Sequence, residues 1–280
     1  MHRSVAVLAA TAVLVVGAAA PAAAQYPGEN GEATYTDETT WAGAPCLDTG
    51  LEHEEGLYGY VPSGGSAWSP DGRLLALSVD GTLATGIVLV DQDECSPRLL
   101  TSERSGGMSF SPDGEQLAVS VAGVGVRVLS VATGQVLRTF PGVYDPSWDP
   151  KGGQLAVVRG GDVYLQPLGG GPPRRWKADA SSPDFAPNGS KIVYLADGRP
   201  RYANVHGSSK KVWTVPVAAM GEVVWSPDGK QLLTPYISDH SFGEDCVAVT
   251  LDGQVQRVLD SSGGCTSLSW QPLPKGERKA

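Results

Sequence analysis

One short pattern recurs six times along this chain, and its spacing limits the fold more than any other feature. Ala67-Trp-Ser-Pro-Asp-Gly72, Ser109-Phe-Ser-Pro-Asp-Gly114, Ser147-Trp-Asp-Pro-Lys-Gly152, Asp184-Phe-Ala-Pro-Asn-Gly189 and Val224-Trp-Ser-Pro-Asp-Gly229 are variants of it, and Ser269-Trp-Gln-Pro272 is a degenerate copy. The aromatic positions are 68, 110, 148, 185, 225 and 270, so the steps are 42, 38, 37, 40 and 45 residues. A period near 40 is that of one blade of a β-propeller. The 36 Gly and 21 Pro among 280 residues argue against a helical bundle or coiled coil, and 41% hydrophobic content suffices for a sizeable core.

The pattern has a local physical meaning. Pro fixes φ and Gly permits φ > 0, so Pro-x-Gly with Asp, Asn or Lys between them makes a tight turn joining two strands. The apolar runs that follow, at 73–78, 115–120, 153–158, 190–194 and 230–234, read as strands buried on both faces. Third strands are expected at 87–91, 126–131, 163–168, 202–206 and 247–251, and fourth strands at 98–101, 136–140, 174–177, 212–215 and 255–259. The fold class is therefore all-β, a propeller of four-stranded antiparallel blades. Six of the eleven Trp and Phe residues occupy the position before the turn. There a ring can fill the wedge between blades and bury roughly 150–250 Å², so these rings are read as packing and not as a sugar-binding stripe.

The Trp-Ser-Pro-Asp-Gly turn followed by a Lys/Arg/Gln-Leu-Ala strand resembles the WD40-like (PD40) repeat of TolB-type β-propellers, which also occurs in the propeller halves of prolyl oligopeptidases. The resemblance covers about residues 60–272. The chain shows neither the α/β domain that precedes the propeller in TolB nor the hydrolase domain of the peptidases. The resemblance implies a propeller and a non-catalytic scaffold that binds a protein, peptide or envelope component.

The sixth copy ends at Pro272, eight residues before the C-terminus, so its blade has only a first strand from that end. The other three strands are expected from the N-terminal region, near 32–35, around Cys46 and at 57–61, which closes six blades with strands from both ends and removes the open edges of the ring.

Residues 1–24 are set apart from the fold. His2 and Arg3 precede an apolar run from Ser4 to Ala20, and Pro21-Ala-Ala-Ala24 offers the small residues read by a signal peptidase. Cleavage after Ala24 is the reading adopted, with an uncleaved anchor as the alternative. The expected organisation is a signal peptide at 1–24, the six-bladed propeller at 25–272 and a tail at 273–280, with secreted, periplasmic or cell-envelope localisation. The formal charge of −9 becomes −10 when Arg3 leaves, with 20 basic against 30 acidic residues. That balance disfavours nucleic acid or an anionic membrane surface as the ligand. No membrane insertion follows cleavage, and a monomer is expected.

Export makes two disulfides the default for Cys46, Cys95, Cys246 and Cys265, none of which has CxxC spacing. Cys246 opens a third strand and Cys265 precedes the last inner strand, which favours pairing them and leaves Cys46 with Cys95. The rival joins Cys46 to Cys265 across the closure.

In a propeller the turns after the innermost strands lie on one face, and the loops entering those strands surround the channel mouth on the other, the default binding surface. Binding-surface candidates on that face are Arg104, Tyr144 and Asp145. Two insertions add Arg199, Arg201 and Tyr202 from 197–202, with His206 nearby, and His240 and Phe242 from 238–245. The enlarged loops of blades four and five make that sector the expected contact surface, and Ala at Arg201, Tyr202 and Phe242 is expected to spare folding.

Catalytic motifs are missing from the chain. It has no Gly-x-Ser-x-Gly elbow, His-Glu-x-x-His or phosphate loop. His53 and His240 have acidic neighbours but read as solvated imidazoles, Asp91-Gln-Asp-Glu94 lacks the Gly and distal Glu of an EF-hand loop, and Asn188-Gly-Ser190 is a glycosylation pattern inside a repeat turn. No catalytic residue, metal site or cofactor is assigned. The favoured function is an exported scaffold. The alternative is a small propeller enzyme, a lactonase or polysaccharide lyase with a metal in the channel, for which Asp184 just before an aromatic, with Asp145 and Glu222 slightly earlier, are the ionisable residues within reach.

Overall fold

Each Pro-centred turn satisfies its own polar groups and so folds the chain back without tertiary help. In the computed structural model the Gly72 amide donates to the Ser69 carbonyl at 3.0 Å, and the Leu74 amide donates to Ser69 Oγ at 2.8 Å. The same pair of bonds recurs at Ser111 with Gly114 and Gln116, and at Ser226 with Gly229 and Gln231. Gly72, Gly114, Gly152, Gly189 and Gly229 all have φ between 65° and 80°, which only glycine adopts without cost. The structure describes residues 29–36, 41–42, 62–80, 85–206, 212–219, 221–237, 244–260 and 265–273.

These turns generate five four-stranded antiparallel blades. Blade one holds β3 (Pro62–Trp68), β4 (Leu74–Asp80), β5 (Thr85–Asp91) and β6 (Ser96–Thr101). Blade two holds β7 (Met108–Phe110), β8 (Gln116–Val121), β9 (Gly125–Ser130) and β10 (Val136–Pro141). Blade three holds β11 (Tyr144–Trp148), β12 (Gln154–Arg159), β13 (Asp162–Pro167) and β14 (Arg174–Lys177). Blade four holds β15 (Ser181–Phe185), β16 (Lys191–Ala196), β17 (Arg199–Asn204) and β18 (Val212–Thr214). Blade five holds β19 (Val224–Trp225), β20 (Gln231–Ile237), β21 (Glu244–Thr250) and β22 (Val255–Asp260).

A further three-stranded sheet, in the order β2–β1–β23, joins β1 (Glu29–Thr36) and β2 (Trp41–Ala42) to β23 (Thr266–Leu273). Here the N-terminal region pairs with the C-terminal strand, Ala33 opposite Trp270. The strands expected around Cys46 and at 57–61 lie outside the described residues.

Apolar clusters fill the gaps between neighbouring blades. Phe110 packs between blades one and two, Trp148 between two and three, Phe185 between three and four, and Trp225 between four and five. Their exposures are 4–7%, which fits the wedge role expected of them.

Hydrogen bonds around the channel tie each blade to the next. The inner edge of each first strand lacks a partner strand, so its amides need other acceptors. Ser109 Oγ accepts the Trp148 amide and Ser147 Oγ accepts the Phe185 amide, each at 3.0 Å, and Asp184 Oδ2 accepts the Trp225 amide at 2.8 Å. Nearer the mouth, Ser182 Oγ accepts from Val223 at 3.0 Å and Glu222 Oε2 from Leu268 at 2.8 Å. Ser66 joins blade one to the closing sheet, donating to the Ser267 carbonyl at 2.7 Å.

Cys246 and Cys265 form a disulfide joining β21 to the residue before β23, at the mouth end of both strands. Cys265 is thus unavailable to Cys46. Cys95 is disulfide-bonded as well, and Cys46 lies outside the described residues.

Candidate functional site

The first strands surround a channel that widens at the end away from the Pro-Gly turns. At the mouth a cavity of about 500 Å³ is lined by Gly106, Gly107, Ser120, Tyr144, Asp145, Gly221, Glu222, Cys265 and Thr266. A constriction of about 70 Å³ shares Gly107, Asp145 and Glu222 with it and is bordered by residues of β23 and of the inner segment of all five blades. Below that, a chamber of about 100 Å³ borders the aromatic layer.

The repeat register explains which residues reach the throat. Three positions before the aromatic stand Gly65, Gly107, Asp145, Ser182, Glu222 and Ser267, and one position before it stand Ala67, Ser109, Ser147, Asp184, Val224 and Ser269. Side chains two apart on a strand share a face, and a register shift between Tyr144 and Ser147, and between Ser181 and Asp184, bends these strands at that point. Asp145, Ser182 and Ser267 carry φ of 57°, 47° and 59° there, a left-handed conformation that Asp tolerates better than most residues.

Three carboxyls on consecutive blades therefore share one side of the channel. Burial raises Asp145 from 3.8 to about 6, against the lowering effect of the Ser182 amide. Asp184 also rises from 3.8 to about 6, chiefly by burial, which outweighs the bonds from the Trp225 amide and from Ser147 Oγ, the latter at 2.9 Å. Glu222 rises from 4.5 to about 7, again chiefly by burial, with the Leu268 amide opposing. The charge of Asp145 pushes both of the others further up. Among the described residues no Lys, Arg or His lines any of the three cavities. Among the described residues no group of three or more His, Cys, Asp and Glu is placed to hold a metal ion.

The binding-surface candidates disperse. Tyr144, 48% exposed, and Asp145 are at the mouth, and Arg104 sits nearby in the segment entering β7, paired with Asp80 at 2.7 Å. The 197–202 insertion is a two-residue hairpin: Ala196 pairs with Arg199, and Asp197 and Gly198 have φ of 52° and 65°, values of a type I′ turn. Arg199 is exposed at the mouth end of β17, and Arg201 is partly buried and bonded to Asp197 at 2.7 Å.

Two expectations need correction. Tyr202 is not on the binding surface: it is 8% exposed, stacked on Trp213 at 5.1 Å and edge-on to Trp225 at 5.9 Å. Its replacement by Ala would open the core between blades four and five. His206 follows a strand that runs away from the mouth, with Asn204 opposite Lys191 beside the repeat turn, so it belongs to the opposite face. His240 and Phe242 lie outside the described residues. The mouth also holds Ser120, Gly106, Gly107 and Gly221, and the sequence signal for the glycines is their place three or four positions before an aromatic.

No protein-family model matches the chain, and no curated protein matches it. No helix among the described residues is long and apolar enough to cross a membrane. Solved structures do match. TolB from Acinetobacter baumannii superposes with a TM-score of 0.69 at 19% identity, over 88% of this chain and 68% of that one. Putative TolB from Agrobacterium tumefaciens superposes with a TM-score of 0.59 at 19% identity, over 75% of this chain and 90% of that one. At that identity the likeness establishes a TolB-like propeller fold, and function has to be argued from the site.

Proposed function

We propose that this protein is an exported, non-catalytic propeller of six blades that binds a protein, peptide or envelope component through its channel mouth. The observation that carries the reading is the mouth cavity of about 500 Å³, within the roughly 300–1,000 Å³ usual for ligand sites. Tyr144 stands at its rim as an exposed ring beside polar groups, the kind of residue that anchors interfaces. The likeness to solved TolB structures supports the scaffold class. Six blades are supported by the succession of inner strands β3, β7, β11, β15, β19 and β23, each beside the next, with β23 returning to β3. Export is supported by the apolar leader and by the Cys246–Cys265 disulfide.

A photo-reactive amino acid placed at position 144, and separately at the exposed turn residue Asn188, tests the reading in cells. A discrete cross-linked adduct from position 144 and none from 188 is expected. Equal labelling from both, or none from 144, counts against it. One observation favours an enzyme as the second reading: Asp145 and Glu222 share one cavity, and Glu222, raised to about 7, keeps its proton to a higher pH than Asp145, raised to about 6, as a general acid beside a base would. Hydrolysis or elimination of an oligosaccharide or lactone panel that Glu222→Gln abolishes would establish it.

A further inference from the structure

We infer that the mouth cavity recognises a primary ammonium group on its ligand, held by the Asp145 and Glu222 carboxylates with its alkyl stem against the Tyr144 ring. The inference rests on the channel mouth being the binding surface, and it names the chemistry recognised there. Three observations beyond the presence of acids carry it.

At Asp184 and Glu222 the fold does not require a charge. The bond that Asp184 accepts from the next blade is accepted by a neutral hydroxyl at the equivalent Ser109 and Ser147. Ser182 does for Val223 what Glu222 does for Leu268. A hydroxyl is sufficient for the clasp, and a carboxylate adds a desolvation cost that a hydroxyl avoids.

Several acids elsewhere among the described residues pair with a basic side chain, whereas Asp145, Asp184 and Glu222 do not. Arg73 pairs with Asp93, Arg104 with Asp80 and Arg175 with Asp162, each at 2.7–2.8 Å, and Arg127 pairs with Glu103. The described residues lining the three channel cavities include these carboxyls and no basic side chain.

Space has been left beside the carboxyls. A Cβ on Gly106 or Gly221 would meet nothing within 4 Å, and one on Gly107 would come within 3.2 Å of Asp145 Oδ1. A side chain at Gly107 would thus occupy the cradle in front of that oxygen. An ammonium group is compact, carries three donors on a flexible apolar stem and takes favourably to an aromatic face. Calcium or magnesium, which takes about six or more oxygen ligands, is poorly served, because no group of three metal-binding side chains converges among the described residues.

Calorimetric titration of the mature chain at about pH 8, where these carboxyls are ionised, tests the inference. The probes are acetyl-Gly-Lys-Gly-amide, its norleucine counterpart, triglycine amide with a free amino terminus, and n-butylamine. At least one of the three amines is expected to bind about tenfold or more tighter than the norleucine peptide. The lysyl peptide binding best assigns a side chain, triglycine amide an amino terminus, and butylamine a free amine; each supports the inference. The Asp145→Asn/Glu222→Gln pair keeps amide oxygens for Ser182 and Leu268 and is expected to weaken that binding about tenfold or more. Should the pair melt early, Glu222→Ser, patterned on Ser182, replaces it. Equal binding of the norleucine peptide, unchanged affinity in the variants, or an isotherm for calcium chloride with none for the amines overturns the inference. If the amines fail while the position-144 cross-link persists, the scaffold reading stands alone. If the amines bind through both carboxylates and no cross-link forms, the macromolecular partner falls and a small amine remains.

Discussion

The aromatic layer and the throat layer of the channel are built by the same inner strands, three residues apart, and only the first repeats. Position 68 and its equivalents hold Trp or Phe in every copy, whereas position 65 and its equivalents run Gly, Gly, Asp, Ser, Glu, Ser. Repetition marks what each blade needs in order to pack against the next. The layer that departs from it answers to something outside the ring, because Ser182 makes with a neutral hydroxyl the clasp that Glu222 makes with a carboxylate.

Removing a ring from the repeating layer gives the largest expected effect. Trp148→Ala should cost about 3–5 kcal/mol in unfolding free energy, read from denaturant curves. Trp148→Phe should cost far less, since Phe110 and Phe185 fill the same position and Trp148 Nε1 has no hydrogen-bond partner to lose. A mild Trp148→Ala would undo the distinction between the layers.

Next in size is the Cys246–Cys265 bridge, which closes a loop of 19 residues. Its reduction should lower stability by about 3 kcal/mol, visible as a fall in melting temperature. Loss of amine binding on reduction would couple the bridge to the mouth, where Cys265 forms part of the wall.

The throat carboxyls should act in the opposite sense to paired surface acids. Asp145 and Asp184 titrate near 6 and Glu222 near 7 in the fold, against ordinary values of 3.8 and 4.5. Between those limits the folded chain binds more protons than the unfolded one, so stability falls as pH rises through the window. The melting temperature should climb as pH is lowered from about 7.5 to about 5. The slope should flatten in an Asp145→Asn/Asp184→Asn/Glu222→Gln variant, and an unchanged slope would place its source elsewhere. Asp184→Ser, which copies Ser147, should leave stability at neutral pH unchanged or raise it by about 1 kcal/mol.

The smallest effect is expected at the rim. Tyr144→Ala should change stability by no more than about 0.5 kcal/mol while removing the contact surface. A larger loss would make Tyr144 part of the packing.

Much of this was legible from local chemistry. Pro-Asp-Gly turns declare where strands reverse, so β4, β8, β12, β16 and β20 lie where the apolar runs after each turn place them. The misreadings share a cause. Tyr202 looks like part of an exposed loop with Arg199 and Arg201, yet Asp197-Gly198 needs only two residues to turn, and the strand that follows leaves Arg199 exposed and carries Tyr202 into the core. His206 is near the mouth in sequence, although six strand residues carry the chain to the far face.

By itself the sequence determined the repeating unit, its four strands, the wedge aromatics and the supply of Asp145, Asp184 and Glu222, because turn geometry and the burial of apolar runs act over a few neighbouring residues. Only the tertiary structure decided that those three carboxyls share one side of a single channel, that Gly107 leaves room before Asp145, and that no basic side chain among the described residues lines their cavities. Those properties depend on how separate blades are disposed around a common axis, and each blade is joined to the next by hydrogen bonds between residues about forty positions apart.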